Sequence, residues 1–125
     1  MQITIDAASD RSIYRQVADE VKALIARGEL PEGTPLPTVR QLSADLGVNM
    51  NTVAAAYREL QGEGLISIRH GSGAVVTSRK SVETSRPEMR KALRTVLTEM
   101  LLGGMKRAEI ERAVKQELKF LEGSR

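Results

Sequence analysis

The sequence lacks most of the side chains on which enzymes and metal sites depend. Its 125 residues contain no cysteine, and His70 is the only histidine. Disulfide bonds, thiolate zinc sites and Cys-His nucleophile pairs are therefore excluded. Glu109, Glu111 and His70 show neither metal-ligand spacing nor an arrangement of nucleophile and base. We expect no enzymatic activity, no metal and no cofactor.

Aromatic residues and long apolar runs are also scarce. Aromatic residues make up 2% of the chain and hydrophobic residues 41%, so a folded core must be aliphatic. No apolar run approaches the ~20 residues of a membrane helix, and the first residues do not resemble a secretory signal. These absences predict a cytoplasmic protein with no membrane partner. The length predicts one domain, or one domain with a small appendage.

The charge is distributed unevenly, although the net charge of +3 is small for this length. The segment from Ile66 to Lys80 contains Arg69, Arg79 and Lys80 and no acidic residue. This local excess of positive charge favours a nucleic-acid partner, and chance asymmetry of an ordinary surface is the alternative.

Apolar periodicity predicts the first helix. Apolar residues recur at helical spacing from Ile13, and Gly28 ends the pattern. Residues 1–5 are typical of a strand or an extended lead-in. The segment Leu30–Pro37 is rich in proline, so we expect a stiff loop there.

Two short helices and a hairpin are predicted next. Thr38 can cap a second helix, with Gln41 completing a capping box, and Gly47 ends it. Asn49 can cap a third helix, which ends near Gly62–Gly64. Two strands, Leu65–Arg69 and Ala74–Thr77, follow and are joined by a glycine-containing turn.

The last third of the chain has a different pattern. The polar segment Arg79–Pro87 predicts a linker, and two amphipathic helices follow, interrupted at Gly103 and Gly104. About 40 residues are too few for an independent core, so the apolar stripes must bury against the N-terminal domain or against a second copy of the chain. The simpler solution is the second, and we expect two chains to pair through this tail. The predicted domains are residues 1–80 and the linker with its dimerisation tail, 81–125. The predicted dimer residues are Met89, Leu93, Val96, Leu97, Met100, Leu101, Ile110, Val114, Leu118 and Leu121.

Together these elements predict an α+β, mostly helical fold: an N-terminal winged helix-turn-helix followed by a two-helix C-terminal dimerisation hairpin. Such a fold places its third helix in the major groove of DNA. Asparagine and threonine at the start of that helix suit base and phosphate contacts, and arginine suits phosphate or guanine. The alternatives are a capping role for Asn49, simple solvation for Asn51 and Arg40, and turn chemistry for the glycines. The predicted DNA-binding residues are Arg40, Asn49, Asn51, Thr52, Arg69, His70, Gly71, Ser72 and Gly73.

Several motifs occur in order over residues 12–77: Leu36–Leu42, Leu46–Val53, Ala56–Tyr57, Leu60, Glu63–Ile66 and Gly71–Gly73. Together they resemble the GntR family of transcriptional regulators. The chain is similar to the YtrA-like subfamily, whose members are typically dimeric regulators of transporter genes. The resemblance implies that Arg40, Asn51, Thr52, Arg69, His70 and Gly71 contact DNA. Met50 and Ala54 depart from the arginines found in many members, so no operator sequence can be transferred.

The sequence thus predicts a homodimeric repressor that binds double-stranded operator DNA in its own operon, with transporter genes as further candidate targets. The alternative is a winged helix used as a protein-interaction module. No convergent polar cluster marks a site for a small-molecule effector, so the existence of an effector stays open.

Overall fold

The computed structural model describes residues 1–70, 73–80 and 85–123. The chain divides into two compact units, Met1–Val82 and Glu83–Arg125. The predicted fold class, α+β and mostly helical, is confirmed. The elements are α1 Ile13–Arg27, β1 Pro35–Leu36, α2 Val39–Leu46, α3 Met50–Gly62, β2 Ile66–Arg69, β3 Gly73–Val76, α4 Arg86–Leu102 and α5 Arg107–Glu122.

The helix boundaries in the first unit follow the capping residues of the sequence. The Thr38 hydroxyl accepts from the Gln41 backbone N–H at 3.1 Å, and the Gln41 side chain accepts from the Thr38 N–H at 2.9 Å. Gly28 ends α1 in a left-handed conformation with φ of 84°. Glycine adopts this conformation without the steric cost that a Cβ would add. Local chemistry therefore suffices to set the ends of α1 and α2.

The sheet differs from the predicted two-stranded hairpin. Its three antiparallel strands have the order β1-β3-β2, with Leu36 paired to Ala74 and Ile66 to Val76. The prediction of a plain loop over Leu30–Pro37 was therefore wrong for Pro35 and Leu36. A strand of two residues has no readable period, and it forms because β3 offers backbone partners. Residues 1–6 form no strand, but Ile3 and Ile5 pack against the core.

An aliphatic core holds the first unit together, as the composition predicts. Helices α1 and α3 contribute most of it, and Tyr57 is the only aromatic member among the residues that the structure describes. Burial of each large side chain stabilises the fold by roughly 1.5–3 kcal/mol. The largest fully buried side chains are Tyr57, Ile25, Leu60, Val17, Val21, Val53 and Val76.

Tyr57 also links α3 to the residues in front of α2. Its hydroxyl donates to the Pro37 carbonyl oxygen at 2.7 Å. Replacing Tyr57 with phenylalanine is expected to lower the free energy of unfolding by about 1–2 kcal/mol, because this carbonyl loses its donor. Urea unfolding measures the change. Tyr14→Phe is the control: the Tyr14 hydroxyl only accepts from Arg15 at a half-buried position, so we expect a change of less than about 0.5 kcal/mol.

The same hydroxyl predicts a response to alkaline pH. Burial raises the pKa of Tyr57 to about 12, whereas a tyrosine in the unfolded chain titrates near pH ~10. A proton held more tightly in the folded state stabilises it fully below pH ~10, and this contribution is lost as the pH rises through the folded pKa. The stability advantage of the wild type over Tyr57→Phe should therefore shrink between about pH 10 and 12. A constant advantage over this range would contradict the prediction.

The second unit is a pair of helices. The Ser85 hydroxyl accepts from the Glu88 backbone N–H at 3.3 Å, and Pro87 lies in the first turn of α4. The predicted linker, Arg79–Pro87, therefore extended too far, because proline is as compatible with the first turn of a helix as with a loop. Gly104, with φ of 93°, lies in the turn between the helices. Within the described parts of the chain, no helix is both long and apolar enough to cross a membrane.

Candidate nucleic-acid interface

Helix α3 has one buried face and one outward face. Its buried positions include Val53, Tyr57 and Leu60. Helical periodicity places Asn51 and Arg58 on the opposite face, and both are exposed. The residues between them on this face, Ala54 and Ala55, have small side chains. Such a face can approach a groove closely and still present polar groups at each end.

The start of α3 is built by Asn49. Its Oδ1 accepts from the Asn51 backbone N–H at 2.7 Å, which is the capping role left open by the sequence. A contact between Asn49 and DNA would therefore use Nδ2. Thr52 lies in the same first turn and is half-buried. The cap and the Asn49 carbonyl oxygen, which accepts from the backbone N–H groups of Thr52 and Val53, fix the first turn of α3.

Arg40 is exposed in the first turn of α2. The capping box occupies the side chains of Thr38 and Gln41, and Val39 packs against the core. Arg40 is thus the residue of this turn whose side chain is available for an outside partner.

The hairpin formed by β2 and β3, here called the wing, carries the remaining predicted residues. Arg69 and His70 are exposed at its tip, whereas Gly71 and Ser72 lie outside the described residues. A Cβ on Gly73 would lie 3.3 Å from the Leu36 carbonyl oxygen, and Gly73 has φ of 83°. Backbone conformation and close packing therefore explain a glycine at position 73 without any DNA contact.

Two adjoining clefts bring these elements together. Tyr57 and Ile68 line both of them. One cleft also contains Arg58 and His70, and the other contains Arg40, Arg69 and Gly73. In the part of the chain that the structure describes, no acidic residue lines either cleft. Four basic or potentially basic side chains from α2, α3 and the wing thus surround one surface, as an anionic partner requires.

The sequence analysis missed Arg58. It lies seven residues after Asn51, two helical turns along the same exposed face. This spacing is a signal in the sequence itself, but the predicted DNA-binding residues of α3 lie only in its cap and first turn. Whether Arg58 faces a cleft depends on where the wing packs.

Two acidic residues, Glu59 of α3 and the following Glu63, pair with basic residues of α1 and line neither cleft. The Arg15 guanidinium makes a forked ion pair with Glu59, with N–O distances of 2.8 and 2.9 Å. Lys22 lies 2.8 Å from a carboxylate oxygen of Glu63. These pairs neutralise two carboxylates on the side of α3 that meets α1, so Arg58 sets the charge of the outward face.

In the second unit, α4 and α5 expose much of their apolar stripe. Leu93 is 52% exposed and Leu118 54%, whereas Ile110 is only 8% exposed. Two apolar clefts open between α4 and α5, with Leu93, Leu97 and Val114 in each. Of the predicted dimer residues, Ile110 is thus already buried within one chain. The exposed members are Met89, Leu93, Val96, Leu101, Val114, Leu118 and Leu121.

Comparison with known families and proteins gives consistent matches. Residues 13–76 match the model of the gntR family of bacterial regulatory proteins. The chain is 29% identical over 117 residues to the transcriptional repressor YtrA of Bacillus subtilis, covering 91% of this chain and 90% of that protein. It is 35% identical over 97 residues to the pyridoxine biosynthesis regulator PdxR of Corynebacterium glutamicum, but spans only 21% of that protein.

Several solved structures have a fold similar to that of this chain. A transcriptional antiterminator from Listeria monocytogenes superposes with a TM-score of 0.86 and 26% identity, covering 99% of this chain and 95% of that one. YtrA from Sulfolobus acidocaldarius, a GntR-family transcription factor, has a TM-score of 0.63 and 42% identity, with 77% and 97% covered. The AraR DNA-binding domain, solved in complex with operator ORE1, has a TM-score of 0.52 and 26% identity, with 62% and 94% covered.

Proposed function

Since the chain belongs to the gntR family of bacterial regulatory proteins and is similar to its YtrA members, we propose that it is a sequence-specific DNA-binding transcription regulator. It acts as a dimer, binds double-stranded operator DNA, and represses its own operon by excluding other proteins from the promoter. It works in the cytoplasm, where bacterial DNA lies, and without catalysis.

One observation carries this proposal: α2, α3 and the wing bring basic side chains to a single surface that no acidic residue lines in the described chain. Asn51 and Arg58 on α3 face the major groove, and Asn51 is suited to read adenine. Arg40 contacts phosphate or guanine, and Thr52, Arg69 and His70 contact the backbone. The AraR domain, which shares the fold, was solved bound to an operator.

The two units divide the work. Residues 1–80 bind DNA, and residues 81–125 hold the linker and the dimerisation tail. The tail leaves most of its apolar stripe exposed, and a contiguous apolar surface of this kind indicates a protein partner. A second copy of the chain is the simplest partner, because soluble oligomers are mostly symmetric homodimers. A dimer presents two α3 helices to two half-sites of a roughly palindromic operator.

The test measures, by fluorescence anisotropy at several salt concentrations, how purified protein binds a labelled fragment of its own upstream promoter. We expect binding that persists in excess unrelated DNA. Equal affinity for unrelated DNA, collapsing as salt rises, would show only the phosphate contribution and contradict operator recognition at this promoter. A promoter fusion tests the sign of regulation: deletion of the gene should raise its expression, and a fall would contradict repression.

A further inference from the structure

One side-chain hydrogen bond links β2, the outer strand of the wing, to α3. Gln61, in the last turn of α3, accepts a hydrogen bond at Oε1 from the backbone N–H of Ile68, at 2.7 Å. β2 is an edge strand, because β3 lies between it and β1. The Ile68 N–H thus points away from the sheet and finds its partner on the helix that the proposed function places in the major groove.

The position of this bond along β2 matters. Ile66 is buried, Ser67 is half-buried, and Ile68 and Arg69 are exposed, so support from the core ends at Ile66. The Gln61 bond holds the strand two residues farther out, immediately before Arg69 and His70. The other strand of the wing has its own support, because β3 pairs with β1 at Leu36. In the described part of the hairpin, both strands are therefore fastened to the rest of the unit.

This bond is poorly placed to stabilise the fold. Gln61 and Ile68 are both exposed, so water can replace either partner when the bond is broken, and little stability is lost. What the bond does fix is the distance between the backbone at Ile68 and the end of α3. A contact that is held in place before binding loses less entropy when it forms.

We propose that Gln61 is a positioning residue that sets the wing against the DNA-reading helix, so that Arg69 reaches DNA while Asn51 and Arg58 occupy the groove. The inference rests on the proposed function. It adds that the energy gained from the wing depends on a side chain that need not touch DNA.

A pair of substitutions at position 61 isolates the hydrogen bond. Gln61→Met has similar length and helix propensity but no acceptor oxygen, whereas Gln61→Glu keeps an acceptor. In each background, Arg69 is compared with Arg69→Ala for affinity to the operator fragment. Taking the ratio within each background removes the direct effect of the charge added by Gln61→Glu.

We expect Arg69→Ala to weaken operator binding about tenfold in the wild type and in Gln61→Glu, but only about twofold in Gln61→Met. Thermal unfolding of the three backgrounds should be similar. NMR measures the exchange of the Ile68 amide hydrogen with solvent. This exchange should be slow in the wild type and Gln61→Glu and faster in Gln61→Met.

Three results would overturn the inference. These are equal effects of Arg69→Ala in all backgrounds, no effect of Arg69→Ala in the wild type, and equal exchange of the Ile68 amide in all three. None of them resembles failure of the proposed function, in which the wild type itself would show no preference for the operator over unrelated DNA.

Discussion

Leu93→Glu is expected to convert the protein to a monomer and to lower its affinity for a two-half-site operator by about 100-fold or more. Leu93 is 52% exposed and lines both apolar clefts of the helix pair. In the proposed dimer, a carboxylate there would have to be buried against the partner tail without an opposite charge, which strongly disfavours association. Without the second chain, the second half-site no longer adds its binding energy.

Sedimentation equilibrium and anisotropy measure the two effects separately. Thr95→Glu is the matched control, because it adds the same charge two residues away, where helical periodicity places it opposite the apolar stripe of α4. It should leave both the dimer and the affinity unchanged. A Leu93→Glu protein that stays dimeric would show that this face is not the interface. A monomer that binds as tightly as the wild type would show that dimerisation is not needed for recognition.

Arg40→Ala is expected to lower operator affinity by roughly 10- to 100-fold, equivalent to about 1–3 kcal/mol, with no change in fold. The side chain is exposed beside an intact capping box, so its removal breaks no bond that holds α2. The alternative hypothesis, a winged helix used as a protein-interaction module, predicts no loss of DNA affinity in Arg40→Ala. Circular dichroism confirms the fold, and anisotropy measures the affinity.

Arg40→Lys distinguishes the two ligands open to Arg40. Lysine keeps the charge but not the planar fork that pairs with guanine. If Arg40 contacts phosphate, Arg40→Lys should bind nearly as the wild type does, and Arg40→Ala should lower the salt dependence by about one counterion. If Arg40 reads guanine, Arg40→Lys should lose discrimination at one base pair. Arg11→Ala is the control for lost positive charge, because Arg11 is paired with Asp19 on α1.

The sequence predicted the helices well because their signals are local. Apolar spacing gave α1, and caps at Thr38 and Asn49 gave the starts of α2 and α3. Strand β1 could not be predicted in this way, because Pro35 and Leu36 become a strand only through backbone bonds to residues 38 or more positions later. The linker boundary failed for a related reason: Pro87 is compatible with both a loop and a first turn, and the Ser85 cap decides between them.

The sequence predicted individual residues of the candidate site but not which of them share one surface. Asn51 and Arg69 were identified from residue type and position, and the family resemblance indicates the same function. Arg58 was missed, and so was the bond from Ile68 to Gln61. The sequence also could not show that Ile110 is buried within one chain while the other large apolar residues of α5 stay exposed, because all of them follow the same helical period.

The sequence alone determined where α1, α2 and α3 begin and end, that the core is aliphatic, and to which family the chain belongs. The ends of these helices depend on neighbours within about one or two helical turns, the nature of the core depends on composition, and the family depends on motifs in chain order. The tertiary structure decided which cations share a surface, how Glu59 and Glu63 are neutralised, and how the wing is fastened to α3. These contacts join residues seven to 44 positions apart, and their geometry is fixed only when the core packs.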